Sequence, residues 1–232
     1  MGKLSVNTFV ALDGVMQAPG GPEEDPRGGF THGGWSVDYW DDTMMKVMDD
    51  YMGRPFELLL GRRTYEIFAA HWPHVTDDPA ADALNAARKH VASRTLDEVE
   101  WQNSTLIQGD VADYVRGLKE QPGPEIQVHG SGELIQTLLE HDLIDELRVW
   151  TFPVLLGTGR RLFAGGTIPA GLKLVDTAVS STGVVISTYE RAGDIPYGSF
   201  ALEEPTEAEA ERRRRLSQNE GPTDAGVEDE GA

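Results

Sequence analysis

The chain has 232 residues, of which 39% are hydrophobic, and this length suits one domain or one domain with a tail. It contains no cysteine, which excludes disulfide bonds, thiol nucleophiles and cysteine-ligated zinc, including the zinc site of nucleobase deaminases. The formal net charge of −19 argues against general nucleic-acid binding, since neutralising phosphates requires clustered lysine and arginine.

The first segment of the chain predicts a strand rather than a targeting signal. Met1–Val10 has one lysine and no long apolar run, and Lys3–Ala11 is rich in strand-forming residues. No later run approaches the roughly 20 apolar residues that span a membrane. We therefore expect a cytoplasmic protein without a membrane partner. Leu12-Asp13-Gly14 is typical of a turn after this strand.

A long loop and an aromatic helix are predicted next. Pro19–Gly34 holds six glycines and three prolines, and long loops of this kind in compact domains are often functional. Aromatic and apolar residues then recur at helical spacing over Trp35–Met52, with Ser36 as the expected N-cap. These aromatic side chains suit either a core or the wall of a substrate pocket.

Strands and helices alternate from about residue 55 to 155, which indicates an α/β fold with crossover connections. The expected strands are Phe56–Leu60, Arg88–Ser93, Thr105–Gln108, Glu125–His129 and Glu146–Pro153. The expected helices are Thr64–His71, Pro79–Ala87, Val111–Gln121 and one that follows Gly132 through Leu143. A closing hairpin, Leu172–Ser180 with Val184–Arg191, predicts an antiparallel edge on a mostly parallel sheet.

The composition changes after residue 200. Residues 201–232 hold ten acids and four arginines, all four in Arg212–Arg215, and almost nothing apolar. We expect a domain over 1–200 and an acidic tail over 201–232 that is disordered or at most forms a short charged helix near Thr206–Leu216. The arginine run is either a solvated charge block or an interaction handle.

Three expected strand ends carry residues that suit a phosphate. The groups are Gly61, Arg62, Arg63 and Thr64; then Ser93 and Arg94; then His129, Gly130, Ser131 and Gly132. Ligands of open α/β sheets bind outside the carboxyl ends of strands. Arginine forks clamp phosphates, and helix N-terminal amides hold a pyrophosphate. Each turn alone is also compatible with an ordinary strand–turn–helix junction, but their occurrence on successive strands predicts a dinucleotide site.

The order LLLGRRTYE, ASRT, HGSGELIQTL and LIDELRVWTFPVLLGTGRRLF resembles the dihydrofolate reductase-like superfamily. It is most similar to the bacterial branch related to the reductase (RibD C-terminal) domain of the riboflavin-biosynthesis bifunctional protein. The resemblance covers about residues 3–191. It implies a three-layer sandwich with helices on both faces of the sheet.

The same resemblance implies an NADPH-dependent reductase that transfers hydride to a small heterocycle of the pterin, pyrimidinone or flavin-precursor kind, in chemistry related to riboflavin biosynthesis. Carried over by position, the first two groups would bind the phosphates on the adenosine side, and Gly130, Ser131 and Gly132 would face the pyrophosphate. Val10 and Ala11 would lie beside the nicotinamide. His129 would either touch the cofactor or only pack.

The proton donor is not fixed by the sequence. Asp13 is either a turn-former or a carboxylate at the mouth of the site, and it is the first acid to test. The expected first helix offers several further acids, from which Asp42 is taken as the second candidate. Asn7 stands about where the riboflavin-type reductase has lysine, which argues against a phosphoribosyl-aminopyrimidine substrate. His71 and His74 have the spacing of metal ligands without an acid-rich partner motif, so no metal site is expected.

Three functions remain open at this point: an NADPH-dependent reductase, a binding module of the same fold that keeps the NADP(H) site without catalysis, and a structural dimer with a vestigial pocket. The segment Glu146–Leu156 is apolar on both faces, and Pro153 is typical of a strand edge or bulge. The resemblance implies a homodimer through this part of the sheet. We therefore expect a two-fold homodimer with Trp150 or Phe152 near the interface.

Overall fold

The computed structural model describes residues 2–163 and 167–219. Its strands are β1 (Leu4–Ala11), β2 (Phe56–Gly61), β3 (Arg88–Ala92), β4 (Ser104–Leu106), β5 (Glu125–His129), β6 (Glu146–Phe152), β7 (Leu172–Val179) and β8 (Val185–Arg191). Its α-helices are α1 (Asp42–Met52), α2 (Arg62–His71), α3 (Pro79–Ala86), α4 (Val111–Glu120), α5 (Gly132–Glu140) and α6 (Glu207–Asn219).

The eight strands form one sheet in the order β4-β3-β2-β5-β1-β6-β8-β7. Strands β1 to β6 pair in parallel, whereas β8 pairs antiparallel with both β6 and β7. The mostly parallel sheet and the antiparallel C-terminal hairpin are therefore confirmed. Strands β3, β2, β5 and β1 are consecutive in the sheet, so their carboxyl ends share one edge.

Helices cover both faces of the sheet, which confirms the three-layer α/β architecture. On one face, side chains of α4 and α5 such as Val115 and Ile135 pack on Val6 and Val128 of the central strands. On the other face, α2 and α3 pack on β2 and β3, and α1 packs through Met44 on β6 and β8. Alternation along each strand divides these cores between the two faces.

The first helix begins later than the sequence pattern predicts. Residues Val37–Tyr39 form a short 3-10 turn, and α1 begins at Asp42 with Asp41 as its N-cap. The expected cap, Ser36, instead donates its hydroxyl to the carbonyl oxygen of Pro19 at 2.9 Å. The preceding aromatic residues belong to the core in irregular backbone, so their helical spacing was misleading.

Strand β6 does not form an exposed edge. It lies between β1 and β8, and Trp150 and Phe152 are both 0% exposed. The prediction that either residue lies near a dimer interface is therefore wrong. Both rings instead pack beneath α1 with Phe9, since ring centroids of Phe9 lie 5.3 Å from Trp150 and 5.5 Å from Phe152.

The chain divides into two compact units, Met1–Ile195 and Pro196–Ala232. The second unit contains α6, whose ion pairs join Glu209 and Glu211 to Arg212–Arg215. This helix agrees with one of the two expectations for the tail, namely a short charged helix. Residues 220–232 of the expected tail lie outside the described residues, and the domain boundary at 200 stays a prediction.

Candidate functional site

The three strand ends that the sequence singles out meet at one edge of the sheet. Gly61 closes β2 and caps α2, Ala92 closes β3 immediately before Ser93, and His129 closes β5 before the start of α5. Their strands are neighbours and parallel, so the turns that follow them are adjacent as well.

One hydroxyl joins the first of these turns to the third. Ser131 accepts a hydrogen bond from the backbone N–H of Gly61 at 3.0 Å and donates to the hydroxyl of Thr64 at 2.7 Å. A Cβ atom at position 61 would lie 3.2 Å from Cβ and Oγ of Ser131, which explains the glycine there. Gly130 and Ser131 adopt positive φ values of 61° and 67°, and this turn opens α5.

The helices that follow these two turns differ from their neighbours in capping. The N-termini of α1, α3 and α4 are each capped by an aspartate, Asp41, Asp78 and Asp110 respectively. Neither α2 nor α5 has a side-chain cap. First-turn amides that no side chain caps are suited to an anion, and the helix dipole adds to that preference.

Arginines surround the two uncapped helix starts. Arg62 donates to Glu66 at 2.7 Å and to the hydroxyl of Thr95 in the turn after β3. Arg63 and Arg160 both reach Oε1 of Glu133 in the first turn of α5, at 3.3 and 3.2 Å. Arg94 is exposed beside Thr95. The edge therefore carries a concentration of positive charge in a chain that is strongly acidic.

Arg160 was missed as a site residue. It comes from the segment between β6 and β7, where its carbonyl accepts from Met16 N–H at 2.8 Å and its N–H donates to Gln17 at 3.0 Å. These contacts tie the segment to the loop after β1. The two adjacent arginines at this position are visible in the sequence. The contact of Arg160 with α5 is not, because it requires the chain to fold back toward α5, and no local pattern indicates that.

A pocket of about 240 Å³ opens beside Arg160. It is lined by Gln17, Arg27, Gly28, Phe30, Thr158, Gly159 and Arg160.

Several predicted cofactor residues lie at this edge in supporting positions. The hydroxyl of Ser93 accepts from the N–H groups of Thr95 and Leu96, at 3.1 and 3.0 Å, and so shapes its own turn. Val10 and Ala11 end β1 at the same edge, with both side chains buried. A ligand can contact their backbone, where the N–H of Ala11 already donates to Val15 and the carbonyl oxygen of Ala11 already accepts from Gly14, both at 2.8 Å.

His129 does not present a positive charge. Burial, together with the charge of Arg148, lowers the pKa of His129 to about 4, so the imidazole is neutral at physiological pH. Its Nε2 lies 3.0 Å from Oε1 of Gln127, and its ring lies 6.4 Å from that of Phe68. Of the two roles considered for it, this geometry supports packing.

The two candidate acids lie in different surroundings. Asp13 follows β1, and its carboxylate accepts the N–H of Gly157 at 2.8 Å, with Arg161 3.7 Å away. Burial favours a raised pKa, but backbone donors from Gly157 and Leu156 outweigh it and leave the pKa of Asp13 lowered. A lowered pKa makes this group a poor proton donor near neutral pH. Asp42 is exposed at the start of α1.

Neither a metal-binding cluster nor a membrane-spanning helix is found in the described residues. No group of three or more histidine, aspartate or glutamate side chains in 2–163 and 167–219 is placed to hold a metal ion. Among the helices described, none has the length and apolar character needed to cross a bilayer.

The chain is similar to a curated protein and to solved structures. Uncharacterized protein YyaP of Bacillus subtilis (strain 168) is 28% identical over 200 residues, which cover 82% of this chain and 96% of YyaP. A Shewanella sp. PV-4 protein named for riboflavin biosynthesis shares the fold with a TM-score of 0.58 at 22% identity, over 83% of this chain and 99% of that one. Dihydrofolate reductase from Enterococcus faecalis, solved with NADP(H), gives a TM-score of 0.52 at 15% identity, over 82% and 96%.

These structural likenesses establish a dihydrofolate reductase-like fold. The family model described as the RibD C-terminal domain matches residues 2–186, which is most of the sequence. The chain therefore belongs to the RibD C-terminal domain family.

Proposed function

We propose that this protein is an NADPH-dependent oxidoreductase that transfers hydride to a small heterocyclic substrate. The observation that carries the proposal is the pair of helices α2 and α5, which begin without side-chain caps at adjoining strands and are joined by Ser131. Two adjacent helix starts with available amides suit the linked phosphates of a dinucleotide. The related fold of the Enterococcus faecalis enzyme, solved with NADP(H), supports this assignment.

Each residue group has a distinct part in the proposed site. The turn Gly130–Gly132 offers backbone N–H groups to the pyrophosphate. Arg63 and Arg160 lie next to that turn because both donate to Glu133, in the first turn of α5. Arg62, held toward the turn after β3, and Arg94 take the additional phosphate that distinguishes NADPH from NADH. NADPH supplies a hydride, and the backbone of Val10 and Ala11 positions the ring that carries it.

Two carboxylates are candidates for the proton donor. The carboxylate of Asp13 already accepts the N–H of Gly157, and the pKa of Asp13 is lowered, so Asp13 is the poorer candidate. Asp42 is exposed and is the better one. The lowered pKa of Asp13 also favours the second candidate function, a module that binds NADP(H) without catalysis. Loss of NADPH absorbance in the presence of pterins, flavins or aminopyrimidinones distinguishes the two, since a binding module consumes no cofactor.

The cofactor assignment is tested by comparing NADPH and NADH affinities by calorimetry. We expect wild type to prefer NADPH by at least about tenfold, because the guanidinium groups pair with the extra phosphate. Arg62→Ala combined with Arg63→Ala should remove most of that preference.

Arg116→Ala is the matched control, since this exposed arginine belongs to α4 and is paired with Asp113. It should leave both affinities unchanged. Equal affinities for NADPH and NADH, in wild type and in the double variant, would contradict the proposal.

We also propose a cytoplasmic homodimer. A reductase that draws on a soluble nicotinamide cofactor needs that cofactor in its own compartment. The surface that we propose for self-association is the outer hairpin of β7 and β8, where Leu172, Leu174, Val175, Val179 and Val185 are exposed.

A further inference from the structure

A larger cavity lies on the side of the sheet that carries α2 and α3. Its volume is about 490 Å³, within the range of roughly 300–1,000 Å³ that is usual for small-molecule sites. Helix α2 forms one wall through Glu66 and Ala69, and the segment between β3 and β4 forms the other through Glu98, Glu100 and Trp101. None of these five residues belongs to the three turns of the proposed cofactor site, so the cavity is a separate feature of the molecule.

A tyrosine of the cavity lining has a proton without an acceptor. Tyr65 is 6% exposed, and its hydroxyl oxygen accepts the N–H groups of Glu100 and Trp101 at 2.9 and 3.0 Å. A hydroxyl has two lone pairs and one proton, so these contacts use its lone pairs and leave the proton over. No acceptor for that proton lies among the described residues. Since a buried donor without an acceptor has lost its hydration, an oxygen atom of a bound molecule would satisfy it.

Carboxylates surround the opening of the cavity. Glu98 and Glu100 are exposed on either side of Val99, which packs into the core instead. Neither of these two carboxylates has an ion-pair partner in the part of the chain that the structure describes. The third carboxylate, Glu66, is paired with Arg62 at 2.7 Å. The opening therefore carries an excess of negative charge, which favours a cation over an anion.

The buried ammonium beside Trp101 does not serve these carboxylates. Nζ of Lys89 lies 4.2 Å from the centre of the Trp101 ring and donates to the carbonyl oxygens of Asn85, Ala87 and Gln102. An ammonium group has three N–H donors, so Lys89 has none left for a glutamate at the opening. A cation for Glu98 and Glu100 has to come from outside the cavity lining.

We propose that this cavity binds a small organic cation that carries a carbonyl oxygen, such as an amidated derivative of arginine or lysine. The charged head pairs with Glu98 and Glu100, for which a guanidinium has the better geometry because it makes two parallel hydrogen bonds to a carboxylate. The aliphatic stem packs against the methyl group of Ala69, and the carbonyl oxygen accepts the proton of Tyr65. This inference does not rest on the proposed reductase function.

The test measures affinity for Nα-acetylargininamide by calorimetry with the full chain, at about 0.15 M salt to screen general attraction to an acidic protein. Nα-acetylcitrullinamide has the same shape but an uncharged urea in place of the guanidinium. n-Butylguanidine keeps the charge but has no carbonyl oxygen. We expect Nα-acetylargininamide to bind, and both comparison ligands to bind at least about tenfold more weakly.

Two kinds of variant separate charge from space. Glu98→Gln combined with Glu100→Gln keeps the shape of the opening and should weaken binding at least about tenfold. Glu120→Gln combined with Glu140→Gln is the matched control, since it removes the same charge from exposed acids of α4 and α5 and should leave binding unchanged. Ala69→Leu narrows the cavity without altering any charge and should also weaken binding. Melting temperatures near that of wild type show that each variant is folded.

Absence of binding by Nα-acetylargininamide overturns the inference, as does equal affinity for the citrulline analogue. Equal affinity in wild type and in the Glu98 and Glu100 double variant does the same. Equal weakening by the control pair also overturns it, because the cation would then be held by the overall charge of the chain. Acetyl-glycyl-arginyl-glycinamide is measured last. If it binds at least about tenfold more tightly than the single amino acid, the cavity holds a peptide of a partner protein, and the assignment to a small molecule is wrong.

Discussion

Lys89 is fully buried, and its ammonium donates to the carbonyl oxygens of Asn85, Ala87 and Gln102 at 3.0, 2.7 and 3.0 Å. It also lies 4.2 Å from the ring centre of Trp101. Burial lowers the pKa of Lys89 from 10.5 to about 8. Between these two values the unfolded chain binds more protons than the folded one, so this residue makes the free energy of unfolding rise with pH across that window.

We expect Lys89→Met to lose that rise. Urea unfolding of wild type and variant, followed from about pH 7 to 10, gives the difference between the two curves. Lys46→Met, at an exposed lysine of α1, is the control and should parallel wild type. A constant difference between wild type and Lys89→Met across the window would show that Lys89 stays charged in the folded state.

At the level of single elements, α1 depends on its cap. Asp41 accepts the N–H of Met44 at 2.9 Å and also the N–H and hydroxyl of Ser181, at 2.6 and 2.8 Å, in the turn between β7 and β8. We expect Asp41→Ala to lower the melting temperature by a few degrees, because it loses both the cap and this link. Asp42→Ala should leave it unchanged. Equal melting temperatures for the two variants would contradict the role of Asp41.

The Asp42→Ala variant also tests the proton donor. If this variant is stable but has lost turnover, the result supports Asp42 as the proton donor.

At the level of the whole molecule, the apolar surface lies at the outer end of the sheet. Among the described residues, strand β7 pairs with β8 alone, and Leu174 and Val179 are 49% and 62% exposed. A long edge strand with exposed apolar side chains favours pairing with a second copy. We expect a dimer by light scattering at about 0.15 M salt, where screening reduces repulsion between acidic chains.

Leu174→Lys with Val179→Lys should give a monomer that still binds NADPH. Leu155→Lys is the control, since Leu155 is 72% exposed but lies after β6. A monomer mass for wild type at micromolar concentration would be inconsistent with the dimer, and an unchanged dimer in the double variant would place the contact elsewhere.

Local chemistry explains what the sequence predicted well. Strand β5 was predicted with its correct limits, and each glycine turn after β2 and β5 lies where its pattern indicated. The failures concern information that is not local. Both Ser36 and Asp41 are acceptable caps, and only packing selects Asp41. The apolar run of β6 suits an interior strand as well as an interface, and the order of strands decides between them. The meeting of Arg160 with Glu133 likewise depends on topology.

The hydroxyl of Ser131 has a consequence for how this protein can change. This hydroxyl makes hydrogen bonds to both the N–H of Gly61 and the hydroxyl of Thr64. The conformations of the turns after β2 and β5 are therefore coupled. Substitutions in the two turns will therefore be non-additive, and a replacement tolerated in one can become harmful after a replacement in the other. Sequence drift, or a designer who wants to change the ligand at these turns, has to alter both turns together.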